Sequence, residues 1–383
     1  MTAPATRYLD TDRDVDGFLT ELSGVRAMAL DTEGASFHRF IDRIYLLQLS
    51  TAAHEAIIDP LPIRAPERLG ALLADPAVEI VLHDADYDLR LLHQDYGWTV
   101  THLFDTRVAA QLLGIRSFGL AALLEQFFGV RLDKKHQRAD WSMRPLTSDM
   151  LAYAAQDTRH LLALRDELRR QLEQKGRWAW AQEEFTRAES TRWEPEEAGQ
   201  GFLRLKGARD LTRRELARLR ELVQWRDGIA AELDRATFRV AGNELLLDLA
   251  KRAPTTREAL MGVKGFPRGM SEARVQEALH GIARADAEPE SGLPRFPRAP
   301  RWDKPADFDD LVGRLRTVRD AVAAELDLDP GVLCSRERLE AVVRRRPTAV
   351  EELAEIPGFR RWQIGLLGDP FLRAMHKPGQ KPA

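Results

Sequence analysis

Residues Val25 to Glu33 read Val-Arg-Ala-Met-Ala-Leu-Asp-Thr-Glu, an apolar run read as a strand over Val25–Leu30 (VRAMAL) with two carboxylates, Asp31 and Glu33, at its end. Alternation along an extended chain puts those two side chains on one face of the strand. Alone, such a pair also suits a solvated turn at a strand end. Working outward, Ile44 to Ser50 (IYLLQLS), Glu55 to Ile58 (EAII) and Val78 to Leu82 (VEIVL) carry the same β signature. The first three runs are close enough in sequence to pair antiparallel. Helical patterns follow at Tyr87–His93, Thr106–Leu113 and Gly119–Phe128. The longest runs from Thr147 to Gly176, with Thr147 and Ser148 as cap candidates. The first 200 residues therefore read as α/β with a mixed sheet.

Two further acidic groups lie beyond the first. After the fourth run stands His83-Asp84-Ala85-Asp86-Tyr87-Asp88-Leu89, three aspartates at alternate positions beside a buried strand. Carboxylates at the edge of a core need partners or cations, although an acidic first helical turn also complements the helix dipole. Within the long helical pattern, Tyr153-Ala154-Ala155-Gln156-Asp157 sets a phenol and a carboxylate one turn apart on one face.

The chain has 383 residues, enough for two or three domains, and is 44% hydrophobic and 31% charged. Its single cysteine, Cys334, excludes an intramolecular disulfide and a Cys-rich zinc site, and points to a reducing cytoplasm. The charged stretch from Met1 to Gly17 is not expected to act as a signal peptide, and no run approaches a membrane span. The formal net charge of -3 is uneven: residues 1–200 hold 23 Lys+Arg against 32 Asp+Glu, whereas residues 201–383 hold 34 against 28. Past residue 205 the strand signal stops. Sliding the chain by 93 residues aligns 226–268 with 319–361 at 17 identities in 43 positions, including Ala230-Ala231-Glu232-Leu233-Asp234 on Ala323-Ala324-Glu325-Leu326-Asp327. Two copies of one small helical domain are expected, joined by a break holding Pro289, Pro294, Pro297, Pro300 and Pro305 that would let the second copy reach along a substrate.

Together, Asp-x-Glu on a first strand, an aspartate after a later strand and Tyr-x-x-x-Asp on a helix form the motif set of the DEDDy 3'-to-5' exonucleases. The chain resembles that superfamily and, within it, the ribonuclease D family. Phe104-Asp105-Thr106-Arg107-Val108-Ala109-Ala110, Leu132-Asp133-Lys134 and Gln137-Arg138-Ala139-Asp140-Trp141 extend the likeness, and the repeated unit is similar to the HRDC domain. The resemblance implies a ribonuclease H-like α/β exonuclease domain at 1–200, a mixed sheet with flanking helices. Two small all-α HRDC domains follow at 211–290 and 304–380, with a Pro-rich linker at 291–303.

The resemblance further implies that Asp31, Glu33, Asp88 and Asp157 hold two divalent ions, Mg2+ or Mn2+, while Tyr153 orients the attacking water. Asp88 is the match, rather than Asp84 or Asp86, because it lies five residues after His83 and directly before Leu89. Thr32, Gln48, His83, Arg138 and Trp141 are the candidate substrate contacts. Arg344-Arg345-Arg346 is a possible phosphate contact or a solvated helix end. The implied activity is a cytoplasmic, monomeric exoribonuclease that removes mononucleotides from RNA 3' ends, with tRNA precursors bearing 3' extensions as substrate and no membrane partner. DNA is the rival polymer, and a nucleic-acid-binding protein with an inactive nuclease site is the rival class. The sequence departs from the pattern at Gly34, where relatives often place a bulky residue, at Ala139, where Ser is common, and at Lys135-His136, which replaces a small-acidic pair.

Overall fold

The structure, a computed structural model, describes residues 5–63, 66–133, 135–195, 199–297 and 302–376. Lys134, Pro300 and the terminal residues 1–4 and 377–380 of the expected domains lie outside the described residues. The N-terminal half runs β1 (Thr6–Leu9), α1 (Asp12–Glu21), β2 (Ala27–Glu33), β3 (Leu46–Ser50), β4 (Glu55–Ile58), α2 (Glu67–Ala74), β5 (Glu79–Leu82), α3 (Asp86–Tyr96), β6 (Leu103–Asp105), α4 (Thr106–Leu112), α5 (Leu120–Phe128), α6 (Ser148–Arg159), α7 (Leu161–Gln174) and α8 (Trp178–Ala188).

Six strands form one mixed sheet in the order β1-β4-β3-β2-β5-β6. The expected antiparallel trio is present as β2, β3 and β4, with Asp31 opposite Gln48 and Glu33 opposite Leu46. On the other side of β2 lies β5, parallel to it, followed by β6. The first apolar run starts later and ends later than the sequence suggests, so both carboxylates belong to the strand itself. β1 and β6 were not legible, being four and three residues long and carrying no sustained alternation.

The long helical pattern divides at His160 into α6 and α7. Thr147 does cap α6, accepting from the Met150 amide at 3.2 Å. The division has a local cause at the sheet. The Thr158 hydroxyl meets Ser50 on β3 at 2.6 Å, and Arg159 forms two hydrogen bonds to the buried carboxylate of Glu55 on β4 at 2.9 and 2.8 Å. These contacts tie the end of α6 down, and α7 then continues over β2 and β5.

Among its described residues, the C-terminal half forms helices and 3-10 turns and no strand. Its first unit holds α9 (Arg213–Glu232), α10 (Thr237–Val240), α11 (Asn243–Arg252), α12 (Arg257–Met261) and α13 (Glu272–Ala287). The second holds α14 (Phe308–Glu325), α15 (Pro330–Leu333), α16 (Arg336–Arg345) and α17 (Arg361–Met375), with a 3-10 turn at Val350–Glu355 where the first unit has α12. The offset of 93 survives in the backbone: Asp234 and Asp327 are both left-handed at φ 45° and 50°, as are Ala253 and Arg346 at 48° and 52°. A repeated sequence has thus repeated even its strained corners.

The first unit has its own core, whereas the core of the second is continuous with that of the catalytic half. Trp180 of α8 stacks on Trp362 of α17 at 4.9 Å, and the buried Arg360 guanidinium pairs with Glu184 at 3.0 Å. The second unit is therefore docked on the catalytic domain instead of extended on a linker. Among the described residues, no helix is long and apolar enough to cross a membrane.

Candidate active site

The strand register delivers Asp31 and Glu33 to one face of β2, the face covered by α6, where Asp157 projects back toward them. One carboxylate oxygen from each of the three lies within 4.8 Å of the others. Asp88 is buried in the first turn of α3, and its Oδ1 accepts from both the amide and the hydroxyl of Thr32 at 3.1 and 2.6 Å. Thr32 thus faces away from its two acidic neighbours and ties Asp88 to the strand between them. The other two aspartates of that motif point elsewhere: Asp84 pairs with Arg107, and Asp86 with Arg90 at 2.9 Å.

Carboxylates in a confined space repel, and the proton affinities of Asp31 and Glu33 report it. Burial first, then Asp88, Asp157 and Glu33, hold Asp31 well above the ordinary carboxylate range. Burial followed by Asp157 and Asp88 does the same to Glu33. Burial pushes Asp88 and Asp157 up to about 7. The donors are carboxylate oxygens alone, the chemistry that suits hard divalent ions such as Mg2+ or Mn2+ and not zinc. The residues present fit divalent metal.

Tyr153 lies one turn before Asp157 on α6 and is mostly buried. Burial, then Asp157 and Glu33, raise its phenol far above the usual value, so the hydroxyl keeps its proton at physiological pH. Trp141 lies against the Tyr153 ring at 6.0 Å and is only 1% exposed, so it has no face to offer a base. Gln48, opposite Asp31, is fully buried and its amide has no partner, which places it beneath the site and out of a substrate's direct reach. His83 meets the Thr106 hydroxyl at 2.9 Å, and burial lowers it to about 4, so it serves as a neutral joint between β5 and α4. Of the five candidate substrate contacts, Arg138 alone is exposed, with its guanidinium 5.3 Å from the Phe37 ring.

Several contributors were missed. Asp105 accepts from the amides of Asp84, Ala85, Arg107 and Val108, fixing the turn that launches α3. Its place directly before an α4 that needed an N-cap was the available signal. Asp42 accepts from the Ala35 amide at 3.0 Å and from the Tyr87 hydroxyl at 2.5 Å. Tyr87 thereby covers Gly34: a Cβ there would overlap the Tyr87 hydroxyl and come within 2.7 Å of Asp42. The space that a bulky residue after Glu33 would take is filled from α3. The Arg344-Arg345-Arg346 run is held by carboxylates, pairing with Glu340, Glu355 and Asp307.

A six-stranded mixed sheet that brings Asp-x-Glu, a second-motif aspartate and Tyr-x-x-x-Asp together defines a 3'-5' exonuclease. The family model for that activity matches residues 6–173, and the HRDC domain matches twice, at 215–282 and 308–375. The chain belongs to the ribonuclease D family. It is 30% identical to ribonuclease D of Granulibacter bethesdensis over 375 residues, covering 96% of this chain and 92% of that one. Among solved structures it is similar to Escherichia coli RNase D, described as an exoribonuclease involved in structured RNA processing, with a TM-score of 0.72, 25% identity, and 97% and 98% of the two chains covered. A protein from Bifidobacterium adolescentis matches with a TM-score of 0.81 and 27% identity over 98% of this chain and 99% of that one.

Proposed function

We propose that this chain shortens RNA from its 3' end one nucleotide at a time, releasing 5'-mononucleotides, and that 3'-extended tRNA precursors are its substrate. The observation that carries the reading is the convergence of Asp31, Glu33 and Asp157 within 4.8 Å beside Tyr153. These three carboxylates, with Asp88 held beside them by Thr32, would bind two divalent ions. Such ions, Mg2+ or Mn2+, lower the pKa of bound water and stabilise the departing 3'-oxygen. Tyr153 supplies a neutral hydroxyl that donates to or accepts from the attacking water and orients it, without removing its proton. Thr32 keeps the second-motif carboxylate from swinging free. The relatives' names favour RNA over DNA, and the reading is of a monomer acting in the cytoplasm.

The test is to give purified full-length chain a 3'-extended tRNA precursor beside single-stranded DNA of matching sequence, in Mn2+ and in EDTA. Stepwise loss of 3' nucleotides from the RNA, abolished by EDTA and by Asp31→Asn, is expected. Internal cleavage, or equal loss without metal, would overturn the reading.

A further inference from the structure

The loop that follows Glu33 meets the first helical unit at an exposed pair of aromatic rings. Phe37 is 45% exposed and Phe238, from α10, is 52% exposed. Their centroids are 6.3 Å apart and their planes nearly perpendicular, at 76°. Each ring has its own guanidinium: Arg138 lies 5.3 Å from Phe37 and Arg239 lies 6.0 Å from Phe238. The joint between the two domains does not depend on these rings. It is made by the Ala236 amide on the His38 carbonyl at 3.1 Å, the Arg239 Nε on the Phe37 carbonyl at 2.5 Å, and Arg39 with Asp234 at 3.1 Å. The rings, which would be covered if they served as glue, keep about half their surface in water.

We infer that Phe37 and Phe238 form a stacking platform for the single-stranded RNA segment just upstream of the nucleotide being removed, with Arg138 and Arg239 holding its phosphates. The inference rests on the RNA reading above and names where the substrate lies. Bases stack on aromatic faces whatever their sequence, and guanidinium groups beside the rings pair with the phosphates between bases. An apolar protein surface placed here would bury two cations without counter-charges, which is costly. Among the described residues, no carboxylate pairs with Arg138 or Arg239. Location agrees as well. Phe37 is four residues from Glu33, at most about 14 Å along an extended chain. Arg138 belongs to the loop whose His136 ring touches Tyr153 edge-on at 5.7 Å. The platform therefore sits on the segment that leaves the carboxylate strand and beside the loop that touches Tyr153, and half of it comes from the first HRDC unit.

The experiment uses full-length chain carrying Asp31→Asn, which keeps RNA intact, and single-stranded RNAs with 2-aminopurine at successive positions from the 3' end. Quenching is expected at positions just upstream of the terminal nucleotide. Phe37→Ala with Phe238→Ala should remove it and weaken binding about tenfold or more, whereas Phe37→Tyr with Phe238→Tyr should keep both. In the active background, the ratio of cleavage rates on a ten-nucleotide RNA and on a dinucleotide should fall by a similar factor. Unchanged affinity and unchanged quenching in the double alanine variant, with its melting curve intact, would overturn the platform even if the parent chain degrades RNA. Failure of the parent chain to shorten any RNA would instead overturn the function on which the inference rests.

Discussion

Replacing Asp157 by Asn should make the metal-free protein more stable, because this carboxylate is held in the fold at a cost. Burial raises its pKa from 3.8 to about 7. At 1.36 kcal/mol per pH unit, that displacement caps the penalty of its charged form at about 4 kcal/mol. The site is partly open to water, so about half, roughly 2 kcal/mol, is the working figure. A change of that size moves a melting midpoint by about 4–8 °C in a domain of 150–250 residues. The sign with pH is set by proton counting. Between about pH 4 and 7 the folded chain holds a proton on Asp157 that the unfolded chain releases, so stability falls as pH rises through that window, and the full penalty is present above it. Asp157→Asn should therefore melt higher than the parent in EDTA at pH 8 and by a smaller margin at pH 5, the difference closing only below about pH 4. Saturating Mg2+ or Mn2+ should raise the parent midpoint at pH 8 and raise the variant's much less. Scanning calorimetry at the two pH values, with and without metal, reads all of this. A variant that melts lower than the parent in EDTA at pH 8 would refute the reasoning.

Tyr153→Phe should slow single-turnover RNA cleavage by roughly one to three decades with little change in RNA affinity, as only the hydroxyl is lost; an unchanged rate would move water positioning to another group. Gly34→Ala should cost about 1–3 kcal/mol in chemical denaturation because its methyl group meets Tyr87 and Asp42. Combining it with Tyr87→Ala should cost less than the sum of the two single changes. Trp362→Ala should cost about 3–5 kcal/mol, since it empties a buried stack against Trp180 and leaves the Glu184 carboxylate short of one donor; a change below 1 kcal/mol would show that the second helical unit is held elsewhere.

The parts that could be read from sequence are those whose signal is local. Val25 to Glu33 announces its strand through an apolar run and its chemistry through two carboxylates on one face. Asp157 is legible because one helical turn links it to Tyr153, and Asp88 because it stands five residues after His83 and directly before Leu89, where the resembled family's second motif has its aspartate; Asp84 and Asp86 indeed find arginine partners instead. The repeated unit is legible because duplication leaves a fixed offset. The break at His160 was hidden, since the apolar pattern of α6 and α7 is unbroken and its cause, Thr158 and Arg159 bonded to β3 and β4, lies across the sheet. Trp141 and His83 looked available for substrate because residue type says nothing about burial. The meeting of Phe37 with Phe238 joins positions about 200 residues apart, and no periodicity encodes which surfaces of two domains will touch.

The two left-handed aspartate corners, 93 residues apart, have separate sockets on the catalytic domain. Asp234 bonds to Arg39 and the Phe40 amide, whereas the corner at Asp327 lies against Gly114, with Arg177 bonded to the neighbouring Leu326 carbonyl at 2.5 Å. Each unit is consequently registered by its own latch. The identity of the latch residues is what must be kept, because an insertion at either corner would lift that unit off its socket on the catalytic domain while leaving the other in place.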